Sequence, residues 1–287
     1  MNLGEITRRL TAAGIEDARH EAMLLIERFE GAAFARILAE RERDWSSQEL
    51  ADAVKKREER IPLQYILGTW EFCGLSFRVT EDCLIPRPDT EVLAERAAAL
   101  LPPGGRFLDL CTGSGCIAGA VLHLTEDRGT TGLAVELVPE TAALARENLA
   151  ALGFSSRCVV LTGDLSDGAV LLPPGEQYDV IVSNPPYVTA EEMEKLEPEL
   201  YREPRIALTD GGDGLSLIRA IIALYPERLK PGGVLLIEHG WRQAESVRAI
   251  AEGAGLTYVP LCDYGGNVRA AEMRNRSAGD VWGETEG

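Results

Sequence analysis

The chain has 287 residues, 45% of them hydrophobic, enough to bury the core of one large or two modest domains. A net charge of −17 sets 46 acidic against 29 basic residues, a surface that repels phosphate backbones and weighs against a free DNA or RNA substrate. No apolar run approaches the roughly 20 residues of a membrane helix, and MNLGEITRRL lacks the apolar centre of a signal peptide, so a cytoplasmic location without membrane association is expected.

Residues 1–62 read as all-helical and form the first expected domain. EDARHEAMLLIERFEG places Ala22, Leu24, Leu25 and Phe29 at helical spacing and stops at Gly31, while Ser46 and Glu49 open SSQELADAVKKREER in capping-box spacing. Residues 63–86 change to short extended segments punctuated by Gly and Pro, a hairpin or linker. Across 87–275 strands and helices alternate, from RFLDLC to YVPLCD, which predicts an α/β fold with a mostly parallel, doubly wound sheet. The tail, 276–287, is polar and expected to fray. The six cysteines form no C-x-x-C pair and only three histidines are present, so the cysteines read as small buried apolar groups, with no metal site.

In such a sheet the ligand sits at the carboxyl ends of the strands. The first strand-to-helix turn is DLCTGSGCIAG: Asp109 ends the strand, and Cys111, Thr112, Gly113, Ser114 and Gly115 form the turn. Gly113-x-Gly115 is followed by Cys116, Ile117 and Ala118 before Gly119, so a dinucleotide fingerprint fails. The second strand ends in Glu136, whose carboxylate can accept both hydroxyl hydrogens of a ribose. The third ends TGDLSD, bringing Asp164 and Leu165 to the same edge, and the fourth delivers Asn184, Pro185, Pro186 and Tyr187.

The two prolines fix φ and remove backbone donors, leaving the Pro185 carbonyl free of a competing neighbour, and the Asn184 side-chain oxygen adds a second acceptor. Two fixed acceptors suit a substrate –NH₂, holding its nitrogen toward an electrophilic methyl group by alignment and electrostatics. Tyr187 can close over a planar group. In LIPRPDTE, Pro86 and Pro88 stiffen the segment and Arg87 can pair with a carboxylate; Asp89 or Thr90 can cap the helix that Thr90 and Glu91 begin.

The glycine turn resembles the D-x-G-x-G-x-G turn of S-adenosylmethionine-dependent methyltransferases, with Cys111 where the first glycine usually stands. N-P-P-Y with such a turn occurs in several amino-group methyltransferases, including adenine-N6 enzymes, so those two motifs alone leave the substrate open. QYILGTWEF, LIPRPDTE, DLCTGSGCIA, VSNPPY, EPRIALTDGGDGL, LLIEHGW and DYGGNVR together resemble the protein-(glutamine-N5) methyltransferases of peptide-chain release factors, the HemK/PrmC family, over residues 2–275. That resemblance implies a Rossmann-like class I methyltransferase with an N-terminal domain that recognises the protein substrate. It implies methylation of the Gly-Gly-Gln glutamine of release factors 1 and 2, with S-adenosyl-L-methionine as cofactor and no direct nucleic-acid partner. It assigns Cys111 to Gly115, Glu136, Leu165 and Asn184 to the cofactor, and Asn184 to Tyr187 to the glutamine. It also puts Arg87 on the active-site wall. Leu165 stands where relatives often have an aromatic residue, and Glu136 where they usually have Asp. A nucleic-acid amino methyltransferase of adenine-N6 type is the alternative, and a non-catalytic binding protein on the same fold the third reading.

Overall fold

The computed structural model describes residues 1–167 and 172–276; the expected tail lies, past Arg276, outside the described residues. Helices α1 (Leu3–Ala12), α2 (Ala18–Glu30), α3 (Phe34–Ala39) and α4 (Gln48–Glu58) open the chain. Leu3, Ile6 and Leu10 of α1, Ala22, Leu25 and Ile26 of α2, and Leu50, Ala53 and Val54 of α4 recur at helical spacing and close a core around Trp45. Leu24 and Phe29 pack at its edge and are only half-buried. The cap of α4 is Ser47, one residue later than the capping-box spacing suggested. Its hydroxyl accepts from Leu50 N at 3.2 Å, and its own N–H donates to Glu30 of α2 at 2.9 Å. A neighbouring helix thus does what Glu49 was expected to do.

The segment after residue 62 departs from the extended reading. Leu63–Leu67 forms a short helix, α5, because Leu63 and Leu67 reach back into the helical core; Gly68 ends it at φ 77°. A hairpin follows, β1 (Thr69–Phe72) and β2 (Leu75–Arg78), antiparallel, with Cys73 and Gly74 both at positive φ in its two-residue turn. Helix α6 (Pro88–Leu100) starts at Pro88, not at Thr90. Arg87 is its cap position and Pro88 its first residue, where a missing N–H costs nothing, so neither Asp89 nor Thr90 caps it.

The seven-stranded sheet contains β3 (Arg106–Leu110), β4 (Thr131–Glu136), β5 (Cys158–Thr162), β6 (Tyr178–Ser183), β7 (Leu229–Glu238), β8 (Val259–Cys262) and β9 (Val268–Met273) in the order β5-β4-β3-β6-β7-β9-β8. The first five are parallel; β9 runs antiparallel between β7 and β8. Strand β9 is absent from the sequence reading because VRAAEM does not alternate: Glu272 is buried and held by Arg96 and Arg274. In LSLIRAIIALYPERLK, whose spacing reads as one helix throughout, the helix runs only over Ser216–Leu224, and β7 already begins at Leu229 after Pro226. Helices α7 (Cys116–Leu124) and α8 (Pro139–Ala151) follow β3 and β4. Strand order reverses at β3, so the β3 and β6 carboxyl ends open a crevice between them. Of the cysteines, Cys83 and Cys158 are buried, Cys73, Cys111 and Cys116 are partly covered, and Cys262 at the β8 edge is exposed, against the uniform burial expected.

Candidate active site

One cleft lies along the carboxyl ends of β3, β4, β5 and β6. It is lined by Cys111, Thr112, Gly113 and Ser114 of the first turn, by Glu136, by Asp164 and Leu165, by Asn184 and Pro186, and by Arg87 on the opposite wall. Four other expected residues do not line it. Asp109, fully buried, supports the turn from beneath: its carboxylate accepts from Thr112 Oγ1 at 2.5 Å, and burial raises it to about 7. Gly115 serves packing, since a Cβ added there would lie 3.4 Å from Ala145 of α8. Pro185 is buried behind the wall, and Tyr187 points away from the cleft.

The turn is built for close backbone approach. Cys111, Gly113 and Gly115 all have left-handed φ, at 59°, 56° and 81°. Gly113 and Gly115 adopt this freely, while Cys111 bears a strain that a glycine would not. Burial raises the Cys111 thiol's pKa, so it stays a neutral, small wall. Glu136 accepts Gly113 N at 2.9 Å on one oxygen and Val138 N at 3.1 Å on the other. Each oxygen keeps a further lone pair for a hydroxyl. Asp164 accepts from the Ser166 N–H and hydroxyl, which lowers its pKa, and the Leu165 carbonyl is tied to the Tyr225 hydroxyl at 2.7 Å. A glycine turn, a diol-accepting carboxylate and an apolar floor are the donor and acceptor set that a nucleoside-bearing cofactor needs.

N-P-P-Y is held from three sides. Ser183 Oγ donates to Leu110 O at 2.8 Å and fixes the end of β6 to β3. Asn184 Nδ2 donates to Thr90 Oγ1 at 3.1 Å. Among the described residues nothing donates to the Pro185 carbonyl. The Tyr187 hydroxyl, expected to accompany a ring closing over a planar group, instead donates to Glu238 Oε1 at 3.1 Å at the end of β7. Behind it, Gln243 Nε2 bridges the Tyr187 and Asp213 carbonyls, and Val188 N and Ala190 N donate to Leu208 and Gly212. The loop of Asp210 to Gly214 is therefore the rear support of N-P-P-Y. Asp210 folds that loop by accepting from Gly212, Gly214 and Ser216.

On the opposite wall Arg87 pairs with Glu203, a buried carboxylate that also accepts Ile85 N at 3.0 Å. Glu203, Glu238 and Gln243 drew no chemical reading from the sequence, although EPRIALTDGGDGL and LLIEHGW were visible as motifs; buried polar residues at strand ends were the available signal.

The parallel sheet, its order and the cleft at its switch point define a class I methyltransferase, an enzyme that uses S-adenosyl-L-methionine. Residues 3–68 match the PrmC N-terminal domain and residues 88–230 the methyltransferase small domain. The chain is 42% identical over 271 residues to the release factor glutamine methyltransferase of Cereibacter sphaeroides, covering 93% of this chain and 94% of that one. It is 41% identical over 251 residues to that of Geobacter sulfurreducens, covering 86% and 85%. The chain belongs to the release factor glutamine methyltransferase family. Among solved structures, the hMettl16 catalytic domain in complex with a 3'UTR hairpin shares the fold, with a TM-score of 0.55 at 17% identity over 81% of this chain and 82% of that one.

Proposed function

We propose that the protein methylates the side-chain amide nitrogen, N5, of the glutamine in the Gly-Gly-Gln motif of bacterial release factors 1 and 2. The observation that carries this reading is a pair of acceptors, Asn184 Oδ1 and the Pro185 carbonyl, that receive no hydrogen bond among the described residues, on the segment whose Asn184 and Pro186 line the cofactor cleft. Family membership supports the choice of glutamine over other amino groups. S-adenosyl-L-methionine supplies the electrophilic methyl group. The turn from Cys111 to Ser114 would cradle its amino-acid part, Glu136 its ribose, and Asp164 and Leu165 its adenine edge.

An amide nitrogen is a weak nucleophile because its lone pair is delocalised. Asn184 Oδ1 and the Pro185 carbonyl would accept its two N–H groups, orient the lone pair toward the methyl group and stabilise the charge that develops on nitrogen. The cofactor would supply the methyl group and keep the bonding pair on its sulfur, while the amide nitrogen held by Asn184 Oδ1 and the Pro185 carbonyl would release one proton to water as it gains the methyl. Arg87, fixed by Glu203, lines the side from which a protein chain would enter. We take residues 1–62 as the part that recognises the release factor, 63–86 as the connector and 87–275 as the catalytic unit, and infer a cytoplasmic location from that substrate.

The test is methyl transfer from labelled S-adenosylmethionine to an unmethylated bacterial release factor, beside its Gly-Gly-Ala variant and duplex DNA. Label on the intact factor alone is expected. Label on DNA, or equal label on the Gly-Gly-Ala variant, overturns the substrate.

A further inference from the structure

We propose that Asn148 and Thr141 of α8 are positioning residues that hold two walls of the cofactor cleft at a fixed separation and so set cofactor affinity. The inference rests on the assignment of the cleft to S-adenosyl-L-methionine and is independent of which substrate is methylated. Thr141, Leu144, Ala145 and Asn148 fall at helical spacing on one face of α8. Against that face lie the turn from Cys111 to Gly115 and a strap, residues 78–87, that runs from the end of β2 to the start of α6. Leu144 packs on Val79 and Cys83 of the strap, and Ala145 abuts Gly115 of the turn. Asp82, Cys83, Leu84, Pro86 and Arg87 of the strap line the cofactor cleft together with Cys111 to Ser114 of the turn.

Asn148, 3% exposed, does not line the cleft, so it acts only through its partners. Its Oδ1 accepts from Arg78 N at 2.8 Å, and its Nδ2 donates to Arg78 O and to Ser114 O, both at 2.9 Å. The Arg78 N–H can only donate and the two carbonyls can only accept, so the amide has one workable orientation and both its hydrogens are committed. One side chain thus joins strap to turn and draws the Ser114 carbonyl back toward α8. Two helical turns earlier, Thr141 Oγ1 donates to Asp82 O at 2.5 Å and pins the strap a second time. Tyr65 of α5 donates its hydroxyl to Cys83 O at 2.6 Å, and Glu203 accepts from Ile85 N at 3.0 Å. Residues 79–87 form neither helix nor strand, so these side chains supply the fixing bonds that a sheet ladder would otherwise give.

The experiment measures cofactor Kd by calorimetry, kcat at saturating cofactor and release factor, and melting temperature for Asn148→Ala, Thr141→Val, Thr141→Ser and Thr125→Val. Thr125 is the matched control: fully buried just after α7 and outside the cleft, it donates the same kind of bond, to Val121 O at 2.6 Å. Asn148→Ala is expected to weaken cofactor Kd by ~10-fold or more and Thr141→Val by roughly 3- to 10-fold. Thr141→Ser, which keeps the hydroxyl, should bind within about twofold of wild type. Saturating cofactor should bring kcat of each variant to within about threefold of wild type, because Asn184 and Pro185 follow β6 and are not part of the strap. Thr125→Val should lower the melting temperature and leave cofactor Kd unchanged. Unchanged Kd in Asn148→Ala and Thr141→Val, beside a wild type that binds, overturns the positioning role alone. Equal weakening in Thr125→Val overturns it too, since general loss of stability would then account for the effect. Absence of cofactor binding by the wild type overturns the reading of the cleft itself. Should Asn148→Ala fail to fold, the Thr141→Val and Thr141→Ser pair decides.

Discussion

Gly214→Ala gives a sharp test of how N-P-P-Y is supported. Gly214 has φ of 72°, and a Cβ there would lie 2.0 Å from the Tyr187 carbonyl oxygen, 2.7 Å from its carbon and 2.8 Å from Gln243 Nε2. Two of those three atoms are backbone of the N-P-P-Y segment, so the segment must retreat by more than about 1 Å to reach ordinary contact. Left-handed strain costs about 1–2 kcal/mol and overpacking about 1–3 kcal/mol more. An ångström of displacement at aligned acceptors costs on the order of 10²-fold in turnover. Gly211→Ala is the matched control: its φ is 78°, yet nothing lies within 4 Å of its Cβ, so it carries the strain without the collision. Both variants are expected to melt early in a denaturant titration, but only Gly214→Ala should lose kcat at saturating cofactor. Equal kcat in the two variants would refute the idea that this loop sets the position of the acceptors.

Further consequences concern stability and cofactor binding. Glu199 joins the N-terminal helices to the segment after N-P-P-Y through Arg57 and Arg60, at 2.8 and 2.7 Å. Glu199→Ala should therefore cost about 2 kcal/mol in urea unfolding, because it removes one of the two carboxylates, Glu21 and Glu199, on the buried Arg57, whereas Glu191→Ala, which breaks an exposed pair with Lys195, should cost nothing measurable. Cys111→Gly relieves the left-handed strain and should leave the protein as stable or up to about 1 kcal/mol more stable, with cofactor Kd no weaker; a loss above that size would show that the thiol packs productively. Burial pulls Asp210 upward, but hydrogen bonds from Ser216, Gly212 and Gly214 bring it to about 2. With the folded value below the unfolded one, the unfolded chain binds more protons, so the stabilisation is present above about pH 4 and lost as pH falls toward 2. The melting gap between wild type and Asp210→Asn should close across that window, and a constant gap would contradict the assignment.

Much of the site was legible because its chemistry sits where strands meet turns. Asn184 after an apolar run, two prolines that cannot donate, and Glu136 at the end of GLAVE are local signals, and the structure brings Asn184, Pro186 and Glu136 to one cleft with Cys111 to Ser114, Asp164 and Leu165. What sequence could not supply was the partner of each group. Tyr187 reads from the sequence as able to close over a planar group, yet its hydroxyl is taken by Glu238, 51 residues away, across β6 and β7. Asp109 reads as a ligand residue by position but lies beneath the turn, where one of its oxygens accepts from Thr112. Strand β9 was invisible because Arg269 and Glu272 break its alternation, and each is accounted for by an ion pair to α6, with Asp89 and Arg96 respectively. The helix Leu63–Leu67 was hidden by its length, since five residues carry too few apolar repeats to outvote the Gly and Pro around them.

The most direct test of the central claim is mass spectrometry of the release-factor peptide carrying Gly-Gly-Gln after one round of reaction, with wild-type enzyme and with Asn184→Ala at saturating cofactor. A single methyl group on the glutamine side-chain nitrogen with the wild type, and turnover reduced by roughly 10²-fold or more with Asn184→Ala while cofactor still binds, is the predicted result. A methyl group on any other atom, or undiminished transfer by Asn184→Ala, would contradict it.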